Sequence, residues 1–309
     1  MESRFYFILS PASLSGSLPS SSGNMKMRTS RIVESRAASK YTLLPMLDLI
    51  GVRKTFNPKT VNEKVALAGV DLHLNDGDFV TVIAGNGAGK STTLNAIAGV
   101  WPIDEGSILL DGVDITKLSE HRRAGMLGRV FQDPMTGTAA TMQIEENLAL
   151  AARRGEKRTL RAGITRAERE EYREKLKMLG LGLENRMTSK VGLLSGGQRQ
   201  ALTLLMATLK KPKLLLLDEH TAALDPRTAE KVLTLSRQII EENHLMTMMV
   251  THNMRDAIAY GNRLIMMHEG RGILDIAGEE KKKLTVENLL AQFARVSGDV
   301  FLNDRALLS

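Results

Sequence analysis

Short apolar runs alternate along the chain with segments that have helical spacing. The runs MLDLIGV from Met46, FVTVI at 79–83 and PKLLLLDEH at 212–220 are typical of β-strands. KSTTLNAIAG at 90–99 and the stretch 227–241 have the periodicity of helices. Continuous apolar strands indicate a sheet with both faces covered. The alternation therefore predicts an α/β fold with a largely parallel sheet.

Residues 142–187 interrupt this alternation, because they lack strand signals and are strongly charged. Within them, RAEREEYREKLKML is amphipathic at helical spacing. We interpret the region of about 142–210 as a helical subdomain inserted between strands. The strand pattern continues outside it in GRVFQ, LMTMMVTH and NRLIMMHEG, at 128–132, 245–252 and 262–270.

The two ends of the chain differ from its central part. Residues 1–45 are rich in serine, and we predict that this extension is disordered, because it lacks the apolar surface that a core requires. Its apolar piece FYFIL is short for a signal peptide. The folded domain is predicted to span 46–275. A C-terminal helical extension follows at 276–309, where Thr285 is the expected N-cap of an amphipathic helix.

Composition narrows the class of protein. Of 309 residues, 43% are hydrophobic and 25% are charged, which is typical of globular proteins, and no run approaches the roughly 18 apolar residues of a membrane helix. The absence of cysteine excludes disulfides and thiolate metal sites. Residues 1–45 carry six basic and two acidic side chains, so this segment contributes more than half of the net charge of +7. We therefore predict no nucleic-acid partner.

The segment AGNGAGKST, at 84–92, has the character of a phosphate-binding loop. Its backbone N–H groups would cradle phosphates, Lys90 would add positive charge, and Ser91 would offer a hydroxyl to Mg²⁺. The usual pattern has glycine six residues before the lysine, and here that residue is Ala84. If its φ is negative the alanine costs little, whereas a positive φ would cost about 1 kcal/mol. The alternative is a glycine-rich turn of another α/β protein.

Two further segments carry candidate chemistry. In LLLLDEH, Asp218 follows a buried strand and is placed to hold Mg²⁺, while Glu219 is a candidate for polarising an attacking water. In LSGGQRQ, Ser195 and Gln198 form the capping-box pattern at the start of a helix. That helix start is either a structural cap or an anion site.

These segments together resemble the motifs of the ATP-binding cassette (ABC) ATPases. LSGGQRQ lies between the phosphate loop and the LLLLDE strand, in the order and at the spacing of that family, and the resemblance covers about residues 46–275. It implies a P-loop NTPase core of ABC type with an antiparallel β subdomain and an inserted α-helical subdomain. It also implies that two cassettes stack head to tail, with each ATP between the phosphate loop of one and the signature of the other.

The resemblance assigns roles to individual residues. Glu219, His252, Gln132 and Lys90 would be catalytic, and Ser91, Gln132 and Asp218 would hold Mg²⁺. Phe56 would stack on adenine, and Asp225 would contact the opposite active site. The other residues expected to contact ATP come from the phosphate loop and the signature: Gly85, Asn86, Gly87, Ala88, Gly89, Lys90, Ser91, Thr92, Ser195, Gly196, Gly197 and Gln198.

The chain departs from the family pattern at two positions. Ala84 replaces the usual glycine, and His220 follows Glu219 where many members have proline. Neither change removes a ligand. We expect these two changes to affect the affinity for ATP and the rigidity of the turn after Glu219.

Three functions compete at this point: the ATPase subunit of a membrane transporter, a soluble ABC ATPase, and an unrelated phosphate-loop kinase. A water-polarising Glu219 disfavours the kinase, which needs an acceptor site. A single cassette favours the transporter over the soluble ATPase. GNGAGKSTTLNAIAGVWP and the segment from Phe131 resemble bacterial importers for tryptophan or tyrosine.

That resemblance implies integral membrane permease subunits as partners, with an extracytoplasmic solute-binding protein reached through them. It also implies a homodimer of ATPase subunits at the cytoplasmic face of the plasma membrane. Met135, Met142 and Ile144 lie in the segment after Gln132 and are either a docking surface or part of the helical core. For Ile144, both readings remain open.

Overall fold

The computed structural model describes residues 46–85, 87–156 and 163–297. Asn86 and the extension 1–45 lie outside the described residues, so the disorder predicted for the extension stays a prediction. The strands of the described part are β1 (Leu47–Phe56), β2 (Lys64–Leu74), β3 (Phe79–Ala84), β4 (Glu105–Leu110), β5 (Val113–Asp114), β6 (Leu127–Val130), β7 (Leu214–Asp218), β8 (Thr247–Val250), β9 (Arg263–His268) and β10 (Arg271–Ala277).

The helices of the described part fall between and after these strands. They are α1 (Lys90–Ala98), α2 (Glu120–Arg123), α3 (Ile144–Ala152), α4 (Arg166–Lys177), α5 (Gly196–Thr208), α6 (Pro226–Asn243), α7 (Met254–Ala259), α8 (Gly278–Lys282) and α9 (Val286–Ser297). Short 3-10 turns at Leu183–Asn185 and Val191–Leu193 connect α4 to α5.

Two sheets organise the described residues. The larger has the order β10-β9-β3-β8-β7-β6, in which β9 to β6 run parallel and β10 pairs antiparallel to β9. The smaller has the antiparallel order β2-β1-β4-β5. The largely parallel sheet predicted from the apolar runs is therefore confirmed. In β7, the four leucines 214–217 are fully buried, as expected for a strand covered on both faces.

Helices α3, α4 and α5 lie in the region predicted to be helical, and they pack around their own apolar cluster. That cluster includes Leu148, Tyr172, Leu176 and Leu202. Ile144 is fully buried in the same cluster, so the reading of this residue as a docking surface was wrong. It is the first residue of α3, and its side chain faces the helical core.

The C-terminal helices pack against the larger sheet. Thr285 Oγ1 accepts a hydrogen bond of 3.2 Å from Asn288 N, which confirms the predicted N-cap of α9. Leu289 and Phe293 on α9 are buried in one cluster with Ile83 of β3. The predicted run GRVFQ is shorter in the structure, because β6 ends at Val130.

Candidate functional site

The phosphate loop connects β3 to α1 and is packed against β2. Gly89 has a φ of 100°, and a Cβ at this position would lie 2.6 Å from Ala66 O. The loop therefore needs glycine here for both its backbone conformation and its close approach to β2. Ala84 ends β3, pairs with Met267 and does not have a positive φ, so alanine at this position costs little.

Lys90 begins α1 with its amine turned toward the loop. Nζ donates a hydrogen bond of 2.6 Å to Ala84 O and lies 3.9 Å from Glu219 Oε1. Burial lowers the pKa of Lys90, and the negative charges of Glu219 and Asp218 oppose that shift. The amine is buried next to acidic groups and remains at the floor of the loop.

Asp218 and Glu219 are consecutive, yet they face different partners. Glu219 has a φ of 45°, in the left-handed region of the backbone. Glu219 Oε2 lies 3.5 Å from His252 Nδ1. Asp218 Oδ2 lies 3.3 Å from the guanidinium of Arg129. Burial raises the pKa of Asp218, whereas Arg129 counteracts this effect.

A cavity of about 190 Å³ opens above the loop. It brings together residues from β1, β2, the loop, α1 and the end of β7. Its lining consists of Phe56, Lys64, Ala66, Gly85, Gly87, Ala88, Gly89, Lys90, Ser91, Thr92 and Glu219. Every predicted phosphate-loop residue that the structure describes therefore lies at this cavity, together with Phe56 and Glu219.

Phe56, which lines the cavity on the β1 side, packs against Trp101. The rings of Phe56 and Trp101 are perpendicular, at 82°, with centroids 4.8 Å apart. Asp104, just after Trp101, accepts hydrogen bonds from Thr55 N at 2.6 Å and from Lys54 Nζ at 2.9 Å. These contacts fix the end of β1 against the segment after α1.

The signature lies at the start of α5 and outside the cavity lining. Ser195 and Gln198 form the predicted capping box, which is confirmed: Gln198 N donates to Ser195 Oγ at 3.3 Å, and Ser195 N donates to Gln198 Oε1 at 3.2 Å. A Cβ on Gly197 would lie 2.2 Å from Thr228 Cγ2. The helix start therefore packs directly on the first turn of α6.

Asp225 is the N-cap of α6. Its Oδ1 accepts a hydrogen bond of 3.1 Å from Thr228 N, and the hydrogen bonds with Thr228 lower the pKa of Asp225. Asp225 and the signature residues Ser195, Gly196, Gly197 and Gln198 are not part of the cavity of their own chain.

Gln132 and His252 occupy more open positions. Gln132 lies two residues beyond the end of β6, is exposed and does not line the cavity. The His252 side chain is 49% exposed. Of the four predicted catalytic residues, the structure brings together Lys90, Glu219 and His252. Among the described residues, no hydrogen bond or ion pair joins Gln132 to these three.

His220, the residue after Glu219, is buried. Its Nε2 forms a hydrogen bond of 3.0 Å with Ser236 Oγ, and Ser236 Oγ donates to Val232 O at 2.8 Å. Burial lowers the pKa of His220 to about 4. The residue that replaces the usual proline is therefore a neutral side chain of the core, which joins the turn after β7 to α6.

The donor set suits Mg²⁺ only when a nucleotide supplies further oxygens. The described residues contain no cluster of three or more His, Cys, Asp or Glu side chains that would hold a metal by themselves. Ser91 and Asp218 offer a hydroxyl and a carboxylate, which are the hard oxygen ligands that Mg²⁺ combines with substrate phosphates.

Two basic residues at the site, and a third at the opposite end of α1, were not predicted from the sequence. Lys64 lines the cavity, and Arg129 pairs with Asp218. Arg123 is fully buried, and its guanidinium donates to Ala96 O and Ile97 O, each at 2.7 Å, at the last turn of α1. None belongs to a contiguous motif, so the sequence offered no signal beyond the charge itself.

Within the ranges that the structure describes, no helix combines the length and the apolar character that crossing a bilayer requires.

Comparisons with known proteins give a consistent result. A family model described as ABC transporter matches residues 67–222. The tyrosine transport ATP-binding protein of Clostridioides difficile (strain R20291) is 43% identical over 253 residues, which cover 80% of this chain and 98% of that protein. The spermidine/putrescine import ATP-binding protein PotA of Shigella flexneri serotype 5b (strain 8401) is 33% identical, and the match covers 81% of this chain and 63% of that protein.

Solved structures agree. The ATP-binding cassette MJ0796, in a dimeric post-hydrolysis state bound to ADP and Pi, has a TM-score of 0.65 at 29% identity, covering 75% of this chain and 98% of that one. The ADP conformation of MJ1267, an ATP-binding cassette of an ABC transporter, has a TM-score of 0.67 at 25% identity, covering 81% of this chain and 98% of that one.

Proposed function

This chain belongs to the family of ABC transporter ATPases, and we propose that it powers the import of an amino acid through a membrane permease. The chain has the fold of an ABC cassette and is an ATPase, which converts ATP and water to ADP and phosphate. Beyond this activity, we propose the direction of transport, the solute and the partners.

In this proposal, the cavity above the phosphate loop holds ATP. Phe56 stacks on the adenine, while the loop amides and Lys90 bind the phosphates. Glu219 orients the attacking water, and His252, 3.5 Å from Glu219, contacts the γ-phosphate. Ser91 and Asp218 would hold Mg²⁺, which when bound neutralises charge on the phosphates. Gln132, exposed two residues beyond the end of β6, would contact Mg²⁺ and the attacking water.

A homodimer completes the site in this proposal. The signature residues 195–198 and Asp225 lie outside the cavity of their own chain, which supports their use by a second copy. The N-terminus of α5 presents free N–H groups, which are suited to an anion. ATP bound between two copies would then favour the closed dimer over the separated subunits.

The observation that carries the transport proposal is the 43% identity to a tyrosine transport ATP-binding protein, across 98% of that protein. We infer that the solute is an aromatic amino acid and that the permease receives it from an extracytoplasmic solute-binding protein. The ATPase subunit would then lie at the cytoplasmic face of the plasma membrane. No nucleic acid takes part.

The test is co-purification from membranes followed by reconstitution with the permease subunits that are recovered. We expect ATP-dependent uptake of tyrosine or tryptophan into proteoliposomes, and no uptake of spermidine. Recovery of a soluble partner alone would favour a soluble ABC ATPase instead. Uptake of spermidine but of neither aromatic amino acid would contradict the proposed solute.

The surface after β6 is the candidate contact with the permease. Met135 is 49% exposed, whereas Met142 is only partly exposed. We expect Met135→Glu to abolish association with the permease and to leave the ATPase activity of the isolated subunit intact. Met178→Glu, at an equally exposed methionine that ends α4, is the matched control. Equal association by both variants would place the contact elsewhere.

A further inference from the structure

A second lysine faces the phosphate loop from the smaller sheet. Lys64 is the first residue of β2 and pairs with Phe56 across the antiparallel ladder. Residues directly opposite in such a pair project to the same face of the sheet. Lys64 and Phe56 both line the cavity, so the lysine and the ring that is proposed to hold the base belong to one wall of it.

The position of Lys64 relative to the loop is fixed by the packing of β2. Ala66, two residues further along β2, packs so close to Gly89 that a Cβ added there would lie 2.6 Å from Ala66 O. Gly270 closes the other side, because its N–H donates to Ala88 O at 3.1 Å and its carbonyl accepts from Ala68 N at 2.9 Å. The loop and β2 therefore form one rigid unit.

Lys64 extends from this unit over the loop. A Cβ added to Gly87, which has a φ of 76°, would lie 3.6 Å from Lys64 Nζ. Gly87 is in the middle of the segment whose N–H groups are suited to phosphate oxygens. The amine is thus close enough to the loop to reach an anion that the loop holds.

The two lysines of the cavity differ in their partners. Lys90 is 7% exposed and already contacts Ala84 O, with Glu219 3.9 Å away. Lys64 is exposed, and no hydrogen bond or ion pair with another described residue engages its amine. Of these two cations, only Lys64 is free to meet a ligand without breaking an existing contact.

We infer that Lys64 binds the polyphosphate chain of the nucleotide from the side opposite to Lys90. The inference rests on the proposed placement of ATP in this cavity. The base then lies on Phe56, and the phosphates lie between two lysines, one from the smaller sheet and one from the start of α1, which follows β3 of the larger sheet. A nucleotide bound in this way connects the smaller sheet to the larger one through charge as well as through stacking.

The test compares full-length Lys64→Met with Lys64→Arg and with Lys211→Met. Methionine keeps the length of the side chain and removes the charge, while arginine keeps the charge. Lys211 is an exposed lysine before β7, at the end of the sheet away from the loop. Kd values for ATP and adenosine are measured by calorimetry and by the fluorescence of Trp101, the sole tryptophan of the sequence.

We expect Lys64→Met to weaken ATP binding about fivefold, as for a partly exposed charge contact. Adenosine should bind as it does to the wild type, and the Kd for ATP should depend less on salt, because one screened charge contact is lost. Lys64→Arg should restore most of the affinity, and Lys211→Met should match the wild type.

Three results separate the possible failures. An unchanged Kd for ATP in Lys64→Met at low salt would overturn the inference alone. Equal weakening of ATP and adenosine would also overturn it, because Lys64 would then act on the base or the strand. A wild-type protein that binds no ATP would overturn the proposed nucleotide site together with the inference.

Discussion

The phosphate-loop end and the signature end of the site differ in the groups that they present. At the phosphate-loop end, Lys90 lies 3.9 Å from Glu219, and Glu219 lies 3.5 Å from His252. At the signature end, a capping box holds the start of α5, and Gly197 packs against Thr228 with no room for a methyl group. Both ends have a glycine at a crowded position, Gly89 or Gly197, and the phosphate-loop end in addition brings charged side chains together.

Substitutions at the two ends should therefore have different effects. Charges fixed near the reacting groups lower the barrier to hydrolysis because they are already oriented. Removing one of them without a change of volume should stop the reaction and leave the fold intact. The signature end presents backbone N–H groups, so a change of shape there should disturb packing and the contact with a second copy together.

The largest expected effect is at Glu219. Glu219→Gln keeps the shape and removes the negative charge that would orient water, so hydrolysis should fall about 10²- to 10⁴-fold. ATP binding should persist, because the loop and Lys90 are untouched. Phosphate release measures the first effect, and accumulation of an ATP-bound dimer in size-exclusion chromatography measures the second.

Glu242→Gln is the control for that variant, because Glu242 is exposed near the end of α6. It should hydrolyse ATP as the wild type does. Turnover of Glu219→Gln within about threefold of the wild type, far short of the loss expected for a group that orients water, would contradict the role of Glu219.

The next largest effect is expected on stability, and it comes from His220, the buried residue after Glu219. His220 has a pKa of about 4, which burial lowers from the ordinary 6.5. Below pH 6.5 the His220 side chain of the unfolded protein becomes protonated, whereas in the folded protein it is protonated only near pH 4. The free energy of unfolding should therefore fall as the pH decreases through this window, by about 3 kcal/mol at pH 4.

His220→Gln removes the titrating ring and retains a group that can donate to Ser236. Urea unfolding between pH 4 and pH 7 should show a smaller loss of stability in the variant than in the wild type. Parallel stability curves for the two proteins would show that His220 does not titrate in this way.

At the signature end, Gly197→Ala should act through shape. Its Cβ would lie 2.2 Å from Thr228 Cγ2, so the start of α5 or α6 must shift. Overpacking of this kind costs about 1–3 kcal/mol, which chemical unfolding measures. Thr228→Ser removes the methyl group and should restore part of that stability in the double variant. Gly163→Ala, at a described glycine with no atom within 4 Å of the new Cβ, is the control.

The contiguous motifs were the most predictable part of the molecule. The phosphate loop and the capping box act through neighbouring residues, so their local sequence determines their conformation. Arg129 and Asp218 come together because β6 lies beside β7 in the sheet. That adjacency depends on the order of strands, which the sequence does not display.

Register explains the other gaps in the prediction. Lys64 reaches the cavity because it lies opposite Phe56 on the neighbouring strand. Ile144 is buried because the first turn of α3 faces the helical core. Both facts depend on which face of an element meets its neighbour, and an apolar or charged residue in isolation does not specify that face.

The smallest expected effect is at Ala84, and it tests whether the charged end tolerates a change of backbone shape. Ala84 ends β3 without a positive φ and is 4% exposed, so glycine would add flexibility without relieving strain. We expect Ala84→Gly to lower the free energy of unfolding by about 0.5–1 kcal/mol, because glycine is unfavourable in strands. Since Lys90 contacts the carbonyl and not the side chain of Ala84, the Kd for ATP should change less than about tenfold, the ratio that 1.4 kcal/mol would produce. Calorimetry of ATP binding and urea unfolding measure the two quantities. A gain of affinity of two decades would mean that the native loop is impaired by its alanine, and the charged end would then be limited by shape, as the signature end is.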